Sequence, residues 1–198
     1  MRTGAGNVAK KKKRTRRTAD DHGGDYKRWQ SGLRPPKKIT VPHDDRHAKY
    51  VGRTSAGEQF FVTAPFVEPG YGMPPRFPRR DFVALYVFDK KGALVRAEIV
   101  DLGTRAKKDT RATRAVTARA AAERDRLLAT LGEVTYGPIR VAPFLVRQYD
   151  TEFGLSHSAP EDPFEPWLAS FCPGCYMQFT QPWDAGTYEP VYLVEPLF

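Results

Sequence analysis

Apolar positions are densest between Asp81 and Val100. In Asp81-Phe-Val-Ala-Leu-Tyr-Val-Phe-Asp89 they occupy both phases of a two-residue period. Val83, Leu85 and Val87 share one face; Phe82, Ala84, Tyr86 and Phe88 share the other. A strand apolar on both faces needs a cover on each side. The return run, Ala93-Leu-Val-Arg-Ala-Glu-Ile-Val100, alternates more cleanly. Asp89-Lys-Lys-Gly92 between the two runs has the residues of a turn, so the stretch predicts a β-hairpin. His47–Arg53 and Glu58–Ala64 predict a second hairpin about Ser55-Ala-Gly57. Ile139–Arg147 reads as one strand, in which Pro143 implies an edge or a bulge. Tyr149-Asp-Thr151 turns it and Glu152–Leu155 runs back. Trp167–Phe171 and Tyr176–Phe179 flank a tight turn, Cys172-Pro-Gly-Cys175, and Val191–Val194 reads as a last strand or a tail.

One stretch follows the helical period instead. Between Thr104 and Leu131, Ala112, Val116, Ala120, Leu127 and Leu131 recur near helical spacing. Asp109 or Thr104 suits the N-cap, and Gly132 suits the position just past the end. The stripe is narrow and rich in alanine, as for a helix lying close on a sheet. Together these elements predict an α+β fold, with one long helix packed on an antiparallel, meandering sheet of about six to eight strands. The helix would cover one face of Val83–Val87, and the C-terminal aromatics Trp183 and Tyr188 the other.

Charge divides the chain. It holds 32 Lys and Arg against 23 Asp and Glu, a net charge of +9. Eight of the basic residues lie within residues 1–18, which hold no acid, leaving 24 against 23 in the remainder. Lys10, Lys11, Lys12, Lys13, Arg14, Arg16 and Arg17 place seven cations in eight positions. Their mutual repulsion and the lack of apolar partners deny this run a core. Residues 1–38 therefore predict a basic, disordered arm and linker, and residues 39–198 a single α+β domain. Each cation laid on a nucleic acid releases a condensed counterion, so such an arm suits nucleic acid or ribosome contact without fixed geometry. The cations between Arg105 and Arg126 would extend that footprint or simply form a solvated helix face.

Other candidate chemistry is sparse. Cys172-Pro-Gly-Cys175 has the spacing of a thiol-redox motif, but strand-like runs surround it and Pro-Gly is an ordinary turn pair. As half of a zinc site it lacks a second Cys or His pair; His157 is the one neighbour. His43-Asp-Asp-Arg-His47 collects imidazoles and carboxylates on a loop, a metal-like grouping that is also ordinary surface composition. Trp183, Asp184, Gly186 and Tyr188 suit either a recognition surface or an aromatic plug on a turn. Residues 67–80, with four prolines and two glycines, predict a long loop, and long loops often carry function. There is no P-loop, GxGxxG, HExxH or GxSxG pattern, and no cofactor is implied.

No apolar run approaches the roughly 18 residues that span a bilayer, and the first residues lack the apolar core of a secretory signal. Two cysteines make no disulfide framework and suit a reducing compartment. The expectation is a cytoplasmic protein without a membrane partner.

Three stretches carry a likeness. Tyr136-Gly-Pro-Ile-Arg-Val-Ala-Pro-Phe144, Glu152-Phe-Gly-Leu155 and Pro182-Trp-Asp184 with Gly186 and Tyr188 resemble a family of small bacterial proteins of unknown function, some labelled formate-hydrogenlyase-regulator-like. The resemblance spans roughly residues 39–190. The regulator label implies transcriptional control, but no helix-turn-helix pattern stands in this chain, so it transfers neither a DNA-binding site nor a catalytic residue. The residues lead to a non-catalytic binding or regulatory module with a basic arm. An enzyme, thiol-redox or metal protein using Cys172 and Cys175, or His43 and His47, is the alternative. A partner of another protein, through loop 67–80 or the Trp183 turn, is the third.

Overall fold

The computed structural model describes residues 35–68, 78–106, 109–160, 167–174, 177–180, 188–189 and 197–198. In chain order the elements are β1 (Ile39–Val41), β2 (Tyr50–Thr54), β3 (Gln59–Thr63), β4 (Phe66–Val67), β5 (Arg79–Phe88), β6 (Leu94–Arg105), α1 (Thr110–Ala129), β7 (Val134–Tyr136), β8 (Ile139–Val141), β9 (Phe144–Gln148), β10 (Thr151–Ser158), β11 (Leu168–Cys172), β12 (Gln178–Phe179) and β13 (Tyr188–Glu189).

The class is α+β, with antiparallel pairing throughout and one helix among the described residues. The expectation of a single sheet is corrected. The strands divide among a six-stranded sheet (β2–β7), a five-stranded sheet (β9–β13) and a two-stranded ribbon of β1 with β8. The predicted strand Ile139–Arg147 marks where the chain changes sheets. Its first part pairs with Ile39–Val41 and its second with Thr151–Leu155. Pro143 stands at the break. It has no N–H to continue a ladder, and Ala142 N–H instead donates to Gly92 O at 2.8 Å.

Strand β5 is the centre of the packing, and its two faces are separately covered. Val83, Leu85 and Val87, with Phe60 and Val62 of β3, pack against Ala120 and Leu127 of α1. Phe82, Ala84, Tyr86 and Phe88, with Phe61, pack against Phe153, Leu155, Phe171 and Phe179 of the five-stranded sheet. The rings interlock edge to face, with centroids 4.9 Å apart for Phe82–Phe153 and for Tyr86–Phe144, and 5.0 Å for Phe61–Phe171. The helix cover is as expected. The described cover on the other face comes from residues 144–179, while Trp183 lies outside the described residues.

Local chemistry sets the element ends. In the β5–β6 turn, Asp89 Oδ1 accepts from the N–H groups of Lys91 and Ala93, both at 2.8 Å, and Gly92 takes φ +86°. The helix starts at Thr110, not Thr104, because β6 continues as far as Arg105. Asp109 is the N-cap, its Oδ1 accepting from Ala112 N–H at 2.9 Å. Tyr149 and Asp150 both take left-handed φ, 51° and 56°, in the two-residue turn joining β9 and β10.

Candidate functional site

Four segments meet where the β5–β6 hairpin opens: β4, the start of β5, the end of β6 and the first turns of α1. Register places Arg79 directly opposite Arg105. Like charges in that position repel. Asp81, fully buried, lies between them: Oδ1 accepts from Arg79 Nε, and Oδ2 from Arg105 Nε at 2.7 Å. Arg105 continues to the helix, its Nη1 donating to Thr113 Oγ1 at 3.1 Å. On the other flank, the Arg79 guanidinium lies 3.8 Å from the centroid of the Phe66 ring, and its Nη1 is 3.8 Å from Glu68 Oε1. Burial pulls the Arg79 guanidinium below its usual range, and Asp81 pulls it back.

The cysteine turn adjoins this cluster. A Cβ built on Gly174 would come within 2.9 Å of the Phe66 carbonyl oxygen and 3.3 Å of the ring edge. A continuous line therefore runs from the turn after Cys172 through Phe66, Arg79, Asp81 and Arg105 to Thr113. Chemically it is a clamp. Each Asp81 oxygen accepts from a guanidinium group, so one carboxylate bridges the two arginines.

A second pair lies beside it. Arg80 Nη2 donates to Asp101 Oδ2 at 2.7 Å, and this bond holds the Asp101 carboxyl below its usual range. Arg80 Nη1 also reaches Tyr149 O at 3.4 Å. From the helix, Arg119 donates to the carbonyls of Asp101 and Leu102 at 3.2 and 3.3 Å. Arg126 pairs with Glu98 and Glu123 at 2.7 Å each, and Arg124 with Asp125. Of the five arginines in α1, Arg111 and Arg114 are exposed and make neither an ion pair nor a side-chain hydrogen bond among the described residues.

The residues singled out from sequence are scattered. Lys10 to Arg17 lie outside the described residues, as do Cys175, Trp183, Asp184, Gly186 and residues 69–77 of the long loop. Cys172 ends β11, half-buried, its thiol donating to Gly154 O at 3.4 Å. The backbone of Tyr188 pairs with Phe179. In the His43–His47 loop, Asp44 Oδ1 accepts from the N–H groups of Arg46, His47 and Ala48 at 2.7 to 2.9 Å, shaping the turn. His43 stacks on Tyr136 at 6.0 Å, and burial pulls the His47 imidazole below its usual range. Among the described residues no group of three or more His, Cys, Asp or Glu side chains could hold a metal ion. Nor is any helix there long and apolar enough to cross a membrane.

Reading the residues alone missed the clamp of Phe66, Arg79, Asp81, Arg105 and Thr113. The available signal was Asp81 itself, a carboxylate at the start of a strand apolar on both faces. A charge buried there requires a partner. No known family, curated protein or solved structure matches the chain.

Proposed function

We propose that the chain is a non-catalytic binding or regulatory module whose arm, Lys10 to Arg17, engages nucleic-acid phosphates. The observation that carries this reading is the segregation of charge: seven cations in eight positions, beside a remainder with 24 basic and 23 acidic residues. Phosphate neutralisation needs cations and counterion release, not a folded pocket. The body supports the reading in two ways. Its buried charges, Arg79, Asp81 and Arg105, are bonded to one another. Its uncommitted helix cations, Arg111 and Arg114, face solvent and add to the basic surface.

The test is deletion of residues 1–18, followed by mobility-shift titration on generic DNA and RNA at rising salt. The full chain gives a salt-sensitive shift that the deletion abolishes. An unchanged shift after deletion, or none with the full chain, contradicts the reading.

A further inference from the structure

Two stretches far apart in sequence bring lysines to one end of the fold. Lys90 and Lys91 form the tip of the β5–β6 hairpin, and Lys37 and Lys38 lead the N-terminal segment into β1. Strand β8 joins them. On one side Ile39 pairs with Val141, so Lys38 stands beside Ala142. On the other side Ala142 N–H donates to Gly92 O at 2.8 Å. A Cβ added to Gly92 would overlap Arg140 O, so the hairpin tip lies close against β8. Three chains abreast, at about 4.8 Å apiece, place the Lys38 backbone about 10 Å from Gly92.

These four lysines are uncommitted. Lys37, Lys90 and Lys91 are exposed and Lys38 is half-buried. Among the described residues none makes an ion pair or a side-chain hydrogen bond, whereas Arg79, Arg80, Arg105 and Arg126 all do. Ile39 is buried, so alternation turns Lys38 away from the core. Lys90 lies along the β2–β3 turn, where a Cβ added to Gly57 would come 3.0 Å from its Cε. Two carboxylates stand at the same end. Asp89 turns inward, its Oδ1 accepting from the N–H groups of Lys91 and Ala93. Glu58 adjoins Gln59, which pairs with Phe88. The lysines outnumber them, and the patch keeps a positive charge.

We propose, on the reading of Lys10 to Arg17 as a phosphate-binding arm, that Lys37, Lys38, Lys90 and Lys91 form a second, folded surface for the phosphates of the same strand. A patch of about 10–15 Å spans three or four phosphates, at about 3.4 Å of axis per charge on one strand. Four lysines alone hold a strand weakly. Joined to the arm through one chain, they meet a strand already bound, at high effective concentration. The arm thus captures, and the patch engages only a strand longer than the arm covers.

Strand length separates the two surfaces. The probes are labelled single-stranded DNA of eight and of about 30 nucleotides, titrated with the full chain at rising salt. The shorter probe has seven phosphates, as many as the arm has cations in residues 10–17. On it the slope of log affinity on log salt is about −5, and replacing Lys37, Lys38, Lys90 and Lys91 by alanine leaves it unchanged. On the longer probe the same replacement makes the slope shallower by about 3. Lys90→Ala with Lys91→Ala, both exposed, gives about half that change, and arginine at all four positions gives none. Thermal midpoints confirm that the variants are folded. A slope near zero on the shorter probe contradicts the arm, and this surface with it. A normal slope there, with no change on the longer probe after either alanine replacement, overturns this surface alone.

Discussion

Gln59 and Arg140, 81 positions apart, are joined by a side chain acting as backbone. Gln59 Nε2 donates to Arg140 O at 3.2 Å, and Arg140 N–H donates to Gln59 Oε1 at 2.7 Å. The same Nε2 donates to Asp89 O at 3.1 Å. One buried amide therefore ties β3 to the β1–β8 ribbon and to the turn of the central hairpin. Gln59→Leu keeps the volume but leaves a donor and two carbonyls without that partner. An orphaned buried polar group costs about 1–3 kcal/mol. Urea unfolding should show a loss of about 2 kcal/mol, and an unchanged midpoint would mean water replaces the amide without cost.

The clamp at Asp81 should behave as buried ion clusters do. Asp81→Ala leaves the guanidiniums of Arg79 and Arg105 facing each other, at a cost of about 3–5 kcal/mol. Replacing Arg79, Asp81 and Arg105 together by Met, Leu and Met removes the unpaired charge along with the pair. Denaturation midpoints should place this triple variant well above Asp81→Ala. The reverse order would show that the cluster is itself a net source of stability.

Two glycines with left-handed backbone separate strain from crowding. Gly103 has φ +88° and open space within 4 Å of an added Cβ. Gly154 has φ +138°, and its added Cβ would overlap the carbonyl oxygen of Phe144 on the neighbouring strand. Alanine at Gly103 should cost about 1–2 kcal/mol, the left-handed penalty alone. Alanine at Gly154 should cost more, because β9 must also move. Equal losses in thermal denaturation would remove the clash from the account.

Stability should fall in two steps toward acid. The His47 imidazole is held below its ordinary value of 6.5, chiefly by burial, so the unfolded chain binds that proton more readily. Its contribution is complete above 6.5 and is lost as pH falls through the folded-state value. Asp101 is held below its ordinary 3.8, first by the hydrogen bond from Arg80. That contribution is complete above 3.8 and is lost at lower pH. Thermal midpoints across pH should decline below each value, and Asp101→Asn should flatten the lower step. A midpoint that rises with acid in either window contradicts the assignment.

Several of these features were legible in the residues and others were not, for physical reasons. The two apolar faces of Val83–Val87 announced a doubly covered strand, because period and composition are local. Asp109 marked the helix start for the same reason, although β6 overran the expected segment, while the helix ends at Ala129 with Thr130 as its C-cap, two residues short of Gly132. The division into three sheets was hidden. Pro143 signals a break in pairing but not which strand the chain joins next. The bonds of Gln59 and the clamp of Arg79, Asp81 and Arg105 depend on register between distant segments, which side-chain periodicity does not encode. The arm is the opposite case: its charge density is a property of sequence alone.

The slope of binding against salt tests the central claim most directly. Seven phosphate contacts give a slope of log affinity on log salt of about −5 to −6, and about −0.7 to −0.9 is lost for each cation removed. Fluorescence titration of the full chain on single- and double-stranded nucleic acid should approach that slope. Replacing Lys10, Lys11, Lys12 and Lys13 by alanine should reduce it by about 3 to 4. A slope near zero for the full chain, or the same slope after the four replacements, would contradict the account.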